Sequence, residues 1–311
     1  MSKERGYCYN CHKRTRHKDE NGNWLCQLCS MGLEDKLTRE QETTLRLIEK
    51  AGLSNKELSL LLNSPKRDNF NKIYKHELGR HVKIGVLSDT HIGHEKFDEN
   101  FLKFAAETFR REGVTNVYHV GDILEGMSGR DGHIFELSQV GFQQQMNYAE
   151  RLFRDYFKGM QIYAITGNHD DWYIKKANLG VNIGEELEKR SSNFHYLGDN
   201  EADVQFAPNC KMKLFHANDG TAYATSYKLQ KLIESFGGAE KPNIVVSGHY
   251  HKALYMFCRN VHGLESGTMC NQTQYMRGKK IPANKGFWIL EFEIGKRGIT
   301  KFLPIFYPAY D

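Results

Sequence analysis

The sequence predicts an α/β protein in which a small metal-binding and helical module precedes a larger body. Short apolar strands alternate with helical patterns from residue 82 onward. This arrangement is typical of an α/β fold whose active groups lie at the carboxyl ends of its strands. Two Cys-x2-Cys pairs come before this region, and paired thiolates at such spacing are typical of a structural zinc site. A chain of 311 residues has room for both parts.

The predicted elements of the body follow one another in a regular order. Apolar strand patterns occur at VKIGVL, VTNVYHV, QIYAIT, KMKLFH, NIVVS and GFWILEFEI. Helical patterns lie at residues 99–113, 134–157 and 223–237. We therefore predict three domains, which are a zinc ribbon at 1–33, a helical module at 34–80 and the body at 81–311.

Charge and hydropathy restrict the environment and the partners of the chain. No run of 18 apolar residues occurs, and the N-terminus has no apolar stretch that could act as a signal peptide. We expect a cytoplasmic protein with no membrane partner. The formal net charge of +5 lies within residues 1–82, which hold 16 Lys and Arg against 11 Asp and Glu. A basic module on a neutral body points to a polyanionic partner.

Four cysteines form the candidate site for one structural Zn²⁺: Cys8, Cys11, Cys26 and Cys29. Four thiolates complete a tetrahedral site, and metal binding would supply the folding free energy of a segment with little apolar content. Disulfide bonds are the alternative, but they require an oxidising compartment. His12 and His17 lie close by and could replace one cysteine ligand.

Residues 38–63 predict two short helices joined by a tight turn at AGLS. Thr38 and Ser54 are suitable N-caps, and a basic stretch from Lys66 to Lys75 follows. The pattern resembles a helix-turn-helix unit. Together with the basic segment between the cysteine pairs, it favours contact with DNA or RNA. A module that docks a partner protein is the alternative.

Metal-binding residue types follow five of the predicted strands. Histidine and carboxylate side chains are common metal ligands, and five such strand ends in one chain indicate a metal site. The segments LSDTHIGH, VGDILEG, TGNHDD, FHAND and SGHYH supply Asp89, His91, Asp122, Asn168, His169, Asp170, His216, His249 and His251.

This order of motifs, across residues 84–251, resembles the calcineurin-like metallophosphoesterases. The resemblance implies an α/β sandwich of two mixed β-sheets flanked by helices. It also implies that Asp89, His91 and His251 hold one metal ion. Asn168, His216 and His249 would hold a second ion, with Asp122 bridging the two.

The implied pair of cations is consistent with elementary electrostatics. A shared carboxylate reduces the repulsion between two cations, and a water between them becomes acidic enough to act as a nucleophile. The ligand set suits Mn²⁺, Fe²⁺ or Zn²⁺, and we expect Mn²⁺ to support activity best.

The resemblance further implies that His169 is not a ligand and protonates the leaving oxygen. Asp170 would hold the imidazole of His169 and raise its pKa. We also predict that Arg130 or His133, in the glycine-rich segment GMSGRDGH, contacts the substrate phosphate. An exposed loop is the alternative for that segment.

Fold and metal chemistry do not name the substrate. The segment GDILEG lacks the arginine that protein phosphatases carry, and SDTHIGH is similar to the opening motif of nuclease subunits in double-strand-break repair complexes. With the N-terminal module, this favours a metal-dependent nuclease or nucleic-acid phosphodiesterase. The alternatives are a phosphatase of proteins or small phosphoesters whose module docks a partner, and a binding protein with an inactive phosphoesterase body.

Overall fold

A computed structural model describes most of the body and parts of the N-terminal region. The described residues are 6–10, 14–15, 18–26, 29, 73–175, 180–238 and 240–310. The chain forms two compact units, Met1–Arg67 and Asp68–Asp311. The predicted helix-turn-helix at residues 38–63 lies outside the described residues.

The described part of the first unit holds one small hairpin. Strand β1 (Gly6–Tyr7) pairs with β2 (Arg14–Thr15) in antiparallel fashion. An isolated bridge joins Lys18 and Trp24, and the Lys18 ammonium lies 4.5 Å above the Trp24 ring centroid.

The second unit contains two six-stranded sheets. The strands of sheet I are β4 (His81–Leu87), β5 (Asn116–Val120), β6 (Gln161–Thr166), β7 (Phe194–Asp199), β13 (Gly286–Gly295) and β14 (Gly298–Pro308). The strands of sheet II are β3 (Ile73–Lys75), β8 (Glu201–Ala207), β9 (Cys210–His216), β10 (Ile244–Gly248), β11 (Ala253–Cys258) and β12 (Val261–Ser266). Sheet I has the order β14-β13-β4-β5-β6-β7, and sheet II has the order β11-β12-β10-β9-β8-β3.

Both sheets are mixed. In sheet I the strands β4 to β7 are parallel, whereas β13 is antiparallel to β4. In sheet II the strand β10 is parallel to both β9 and β12. The predicted fold class, an α/β sandwich of two mixed sheets flanked by helices, is confirmed.

Successive side chains of a strand point to opposite faces of its sheet, so the two faces of sheet I contribute to two separate hydrophobic cores. Val82, Ile84 and Val86 of β4 belong to the core between the two sheets, together with Met212 and Leu214 of β9. The outer core of sheet I is covered by helices α1 (Glu99–Arg111), α2 (Phe142–Tyr156) and α4 (Ile183–Arg190). Helix α5 (Tyr227–Ser235) packs on sheet II. Two short helices, α3 (Trp172–Lys175) and α6 (Gln274–Lys279), lie in loops near the strand ends.

Two boundaries differ from the sequence prediction. The helix predicted at 134–157 begins only after Gly141, whose φ of 87° cannot continue a helix. A separate 3₁₀ turn, His133–Glu136, precedes it. Strand β3 pairs in parallel with β8, although it lies in the range that was assigned to the helical module.

Candidate metal centre

The residues predicted to bind metal ions lie at the end of β9 or in the turns that follow β4, β5, β6 and β10. Parallel strands end at one edge of a sheet, and this brings turns from both sheets to a common site. Asp89, Asp122 and His216 are almost fully buried. Burial of several carboxylates together needs compensating positive charge.

Five of the predicted ligands have left-handed backbone conformations. Asp89, His91, Asp122, His249 and His251 have φ values of 50°, 47°, 50°, 85° and 53°. A non-glycine residue in this region costs roughly 1–2 kcal/mol. Such strain concentrates at functional sites, where the surrounding structure maintains it. The tight turns direct these side chains into the site.

Glycines beside the predicted ligands allow the ligand side chains to approach one another closely. A Cβ atom on Gly167 would lie 2.3 Å from Asp122 Oδ1 and 2.7 Å from His216 Nε2. A Cβ on Gly248 would lie 2.3 Å from the Val120 carbonyl oxygen. Any larger residue in place of Gly167, before Asn168, or Gly248, before His249, would therefore clash with these atoms.

Six of the seven predicted ligands fall into two groups. Asp89, His91 and His251 form one, and Asp122, His216 and His249 form the other, with ligand atoms within 4.8 Å of one another in each. Asp122 Oδ2 lies 3.2 Å from His216 Nε2 and 3.8 Å from His91 Nε2, so this carboxylate reaches both groups.

Asn168 adjoins the second group. Its Oδ1 atom lies 3.2 Å from His216 Nε2. The structure thus brings all seven predicted ligands together, in the two groups that the family resemblance implies. Whether they act as ligands stays a prediction.

The hydrogen bonds of three histidines determine which ring nitrogen can face a cation. His91 Nδ1 donates to Glu125 Oε2 at 2.8 Å, and His216 Nδ1 donates to the Val120 carbonyl at 2.7 Å. Their Nε2 atoms then carry lone pairs directed into the site. His249 is reversed, since its Nε2 donates to the Asp219 carbonyl at 2.8 Å. These partners orient the rings in the way that protein metal ligands are usually oriented.

The donor set fits divalent metal ions. The lone pair on His216 Nε2 faces two further acceptors, Asp122 Oδ2 and Asn168 Oδ1, each 3.2 Å away. Burial opposes the charged form of His216, but the Asp122 and Asp89 carboxylates outweigh it and raise the pKa of His216 to about 10. Such a site demands a positive charge, which a bound cation can supply.

His169 belongs to neither of these two groups, although one of its ring nitrogens lies within 4.8 Å of ligand atoms of His91 and Glu125. Its backbone N–H donates to Asp122 Oδ1 at 2.8 Å, and its ring packs on Trp172 with the ring centroids 3.8 Å apart. Its Nδ1 donates to the Glu125 carbonyl at 3.0 Å and lies 3.3 Å from Glu125 Oε2. Burial lowers the pKa of His169, but Glu125 and Asp122 outweigh burial and raise it to about 9. The two carboxylates therefore favour the protonated form of His169.

Asp170 does not hold the imidazole of His169, so that part of the sequence prediction is wrong. Its carboxylate accepts hydrogen bonds from the backbone N–H groups of Ile123, Leu124 and Gly167 at 2.8–3.0 Å. Its oxygens therefore face the turn after β5 and the turn after β6, and they fasten these two turns to each other. Burial, followed by the charge of Asp122, raises the pKa of Asp170 to about 7.

Glu125 takes the place that the sequence analysis gave to Asp170. Its carboxylate lies 2.8 Å from His91 Nδ1, 2.8 Å from His133 Nε2 and 3.3 Å from His169 Nδ1. Burial disfavours ionisation of Glu125, but the surrounding histidines hold its pKa well below the usual range. The sequence analysis missed Glu125. The available signal was an acidic residue three positions after Asp122 in the same turn.

The two residues predicted to contact substrate differ in their surroundings. His133 is buried, with Nε2 against Glu125 and Nδ1 accepting from the Ser128 N–H at 3.3 Å. Both ring nitrogens are occupied, and this argues against the predicted phosphate contact of His133. Both residues line the cavity in front of the site, and the Arg130 guanidinium donates to Glu136 at 2.5 Å.

The cavity has a volume of about 530 Å³ and is open to solvent at one side. Ligand pockets in proteins cover roughly 300–1,000 Å³. Predicted ligands form its floor, and Trp172 and Tyr275 form part of its wall. The cavity can therefore admit a group larger than a single phosphate.

Three of the four predicted zinc ligands lie together in the first unit. The sulfur atoms of Cys8, Cys26 and Cys29 are within 4.8 Å of one another. The Cys29 N–H donates to Cys26 Sγ at 3.5 Å. Cys11 lies outside the described residues, so the complete four-cysteine site stays a prediction.

A sandwich of two mixed sheets with buried histidines and carboxylates at its strand ends defines a metal-binding α/β protein. Residues 82–281 match the family model of the calcineurin-like phosphoesterase superfamily domain. The chain therefore belongs to the calcineurin-like phosphoesterase superfamily. No helix in the described ranges combines the length and the apolar character needed to cross a bilayer.

Curated relatives of the chain include two proteins of the same name from different organisms. The chain is 25% identical over 264 residues to the DNA polymerase II small subunit of Methanothermobacter thermautotrophicus, covering 71% of this chain and 53% of that protein. It is 24% identical over 239 residues to the DNA polymerase II small subunit of Halobacterium salinarum, covering 65% and 46% respectively. The chain spans about half the length of these relatives.

Solved structures show weaker likeness. A novel archaeal phosphodiesterase is 19% identical with a TM-score of 0.43, and the match covers 73% of this chain and 100% of that protein. Vps29 from Entamoeba histolytica is 12% identical with a TM-score of 0.35, covering 73% and 99%. At these TM-scores the likeness adds nothing to the family assignment.

Proposed function

We propose that this chain is a metal-dependent phosphoesterase that hydrolyses phosphodiesters of nucleic acid. The observation that carries the proposal is the position of Asp122, whose carboxylate reaches both groups of predicted ligands at the floor of one cavity. A carboxylate shared between two cations is the arrangement that two-metal phosphoester hydrolysis uses.

Seven residues would hold two divalent ions in this site, with Mn²⁺ as our first choice and Fe²⁺ or Zn²⁺ as alternatives. They are Asp89, His91 and His251 for one ion, Asn168, His216 and His249 for the other, and Asp122 for both. When bound, the ions supply Lewis-acid chemistry that activates a water and polarises the phosphoester.

His169 is the proposed general acid. Its Nδ1–H donates to the Glu125 carbonyl, which leaves Nε2 as the atom that can give a proton to the leaving oxygen. The Glu125 carboxylate, 3.3 Å from Nδ1, favours the protonated imidazole that a general acid requires. Glu125 is a positioning residue, because it orients His91 and His169 at once.

The choice of nucleic acid as substrate rests on the N-terminal unit and on the relatives. Residues 1–82 carry the net positive charge, and Lys18 and Trp24 form a cation–π pair within the described part. Basic and aromatic side chains together suit phosphates and bases. The curated relatives are named as subunits of a DNA polymerase. We propose that the four cysteines bind one Zn²⁺ and fold a module that contacts DNA or RNA.

A second candidate function retains the phosphoesterase site but gives the N-terminal unit a protein partner. The observation that favours it is the word subunit in the names of the relatives, which places those proteins in assemblies. This candidate predicts hydrolysis of phosphoproteins or small phosphoesters without salt-sensitive binding of nucleic acid.

One assay separates these functions. Purified protein is supplied with Mn²⁺ and tested on single-stranded DNA, duplex DNA, RNA, an aryl phosphodiester and an aryl phosphomonoester, each with and without EDTA. Our proposal predicts EDTA-sensitive cleavage of at least one nucleic acid and of the aryl phosphodiester. Hydrolysis of the phosphomonoester alone would favour the second candidate, and no EDTA-sensitive hydrolysis at all would contradict both.

A further inference from the structure

The segment 271–285, which we term the rim segment, has an unusual composition. It reads NQTQYMRGKKIPANK, with four Lys and Arg residues and no Asp or Glu. Arg277, Lys279 and Lys280 are exposed, and none of them pairs with an acid among the described residues. Tyr275 is 54% exposed and lines the same cavity as the predicted metal ligands. An exposed aromatic residue beside available cations is a pattern that suits nucleic acid.

Hydrogen bonds attach both ends of the rim segment to the metal centre. Just before it, the Met269 N–H donates to the Asp89 carbonyl at 3.2 Å. Near its other end, the Asn284 N–H donates to the His251 carbonyl at 2.8 Å. Asp89 and His251 are both predicted ligands of one ion. The rim segment is therefore held at a fixed position relative to the site of chemistry.

The turn that presents Tyr275 is itself well ordered by contacts. Thr273 caps α6, its Oγ1 accepting from the Met276 N–H at 3.2 Å. Met276 is 7% exposed, so its side chain anchors the turn while its neighbour Tyr275 stays at the surface. A stacking surface costs least entropy on binding when it is held in place beforehand.

Arg130 adds a second flat group at the same wall. Its guanidinium carbon lies 5.8 Å from the centroid of the Tyr275 ring. Glu136 accepts a hydrogen bond from this guanidinium, which neutralises its charge and fixes its orientation. The contribution of Arg130 is therefore a planar surface, while the net positive charge comes from Arg277, Lys279 and Lys280.

We infer that the rim segment binds single-stranded nucleic acid, with one base stacked at Tyr275 and the backbone phosphates against Arg277 and Lys279. A base can reach an aromatic side chain in a cavity wall only if it is unstacked from its neighbours, and this selects single strands over intact duplexes. This inference rests on the proposed function, because it names the substrate class of the same site.

The direct test is binding of fluorescein-labelled (dT)₄ in EDTA, measured by anisotropy on the full chain. Loss of one stacked base weakens binding roughly 5- to 150-fold, so we expect this loss in Tyr275→Ala. Tyr275→Phe keeps the aromatic face and should bind like wild type. Phe257→Ala is the matched control, since Phe257 is 59% exposed and does not line the cavity. Equal affinities of Tyr275→Ala and wild type would overturn the inference, as would equal losses in Tyr275→Ala and Phe257→Ala.

A second arm tests the phosphate contacts. The double variant Arg277→Gln with Lys279→Gln should reduce the slope of log affinity against log salt by about 1.4, because each lost contact to a single strand removes about 0.7. An unchanged slope would contradict the predicted path of the backbone.

A third arm separates failure of this inference from failure of the proposed function. With Mn²⁺, Tyr275→Ala should cleave a single-stranded oligonucleotide more slowly, by the factor seen in binding, whereas the control Phe257→Ala should cleave it at the wild-type rate. Equal losses in the two variants would overturn the stacking role. Absence of Mn²⁺-dependent hydrolysis in the wild type would defeat the proposed function alone, since (dT)₄ binding in EDTA reports on the rim segment independently.

Discussion

The Glu125 carboxylate lies 2.8 Å from Nδ1 of His91, a predicted metal ligand that is almost fully buried. This contact fixes the His91 tautomer so that Nε2 faces the site. The same carboxylate also reaches His133 and His169. One side chain thus orients a predicted ligand, the proposed acid and the loop in front of the cavity.

Replacing Glu125 should therefore reduce both metal binding and turnover. Glu125→Gln removes the charge. It also directs the side-chain amide N–H₂ group at one of the histidine N–H groups from which the wild-type carboxylate accepts a hydrogen bond. Loss of a partner that orients a ligand typically costs 10–100-fold in metal affinity or activity, so we expect a loss of that size. Isothermal titration with Mn²⁺ and the rate on an aryl phosphodiester measure it, with the exposed Glu107→Gln as control. Wild-type affinity and rate would show that Glu125 has no positioning role.

Asp170→Asn should behave in a different way from Glu125→Gln. Three backbone N–H groups donate to the Asp170 carboxylate, and an asparagine amide cannot accept all three. Hydrogen bonds to charged groups contribute about 1.5–3 kcal/mol each, so we expect a lower free energy of unfolding by about that amount. Urea denaturation of metal-free protein measures it. A variant as stable as wild type that loses only activity would restore the original assignment of Asp170 as the partner of His169.

His169→Ala should slow the reaction while leaving metal ions in place. General acid catalysis contributes about 10²–10⁴-fold, and we expect a rate loss in that range on substrates with a poor leaving group. An activated aryl leaving group needs no proton, so its hydrolysis should fall much less. Metal content by mass spectrometry is the control measurement. Loss of the bound ions in this variant would mean that His169 is a ligand and not an acid.

Gly167→Ala tests the close packing of the site. The added Cβ would lie 2.3 Å from Asp122 Oδ1, so the carboxylate must move away from its present position. A shift of about 1 Å can cost roughly 10²-fold in rate, and we expect at least this loss. Gly237→Ala is the matched control, because no heavy atom lies within 4 Å of a Cβ at that position. Equal rates for the two variants would show that Asp122 tolerates displacement.

The sequence predicts the two-sheet body well because histidine, carboxylate and amide side chains occur at the ends of its apolar strands. Strands β4, β5, β6, β9, β10 and β13 coincide with apolar runs, and predicted ligands lie at the end of five of them or in the turn that follows. Strand β8 is absent from the sequence prediction because that prediction rests on continuous apolar runs. Its residues instead alternate between buried apolar and half-buried side chains, which is the pattern of a half-buried strand. Glu201 and Asp203, which interrupt the apolar residues, pair with Lys213 of the neighbouring strand β9.

The site itself was predictable only as a set of residue types. The motifs identified Asp89, His91, Asp122 and the other predicted ligands, but the partner of His169 depends on how two separate turns pack. Asp170 adjoins His169 in sequence, yet its side chain points to the backbone of the turn after β5. Glu125 is 44 positions away in sequence and meets His169 through the pairing of β5 with β6.

The proposed zinc module can be tested without disturbing the body. Cys26→Ser with Cys29→Ser should release Zn²⁺ and unfold the first unit, because such segments depend on metal for folding. Hydrolysis of an aryl phosphodiester should persist, since the body has its own cores. Binding of duplex DNA should weaken, and its salt slope should fall by about 0.9 for each lost phosphate contact. Unchanged affinity and slope with the zinc gone would favour a protein-docking role for the module.

The measurement that tests the two-metal account most directly is the Mn²⁺ stoichiometry and turnover of Asp122→Asn beside wild type. Asp122 is the carboxylate that reaches both groups of predicted ligands, and asparagine keeps its shape while removing its charge. The exposed Asp155→Asn provides the control for a lost carboxylate elsewhere. We predict two Mn²⁺ ions per chain in wild type and in the control, with fewer ions and no detectable turnover in Asp122→Asn. Near-wild-type Mn²⁺-dependent turnover in Asp122→Asn would contradict the account.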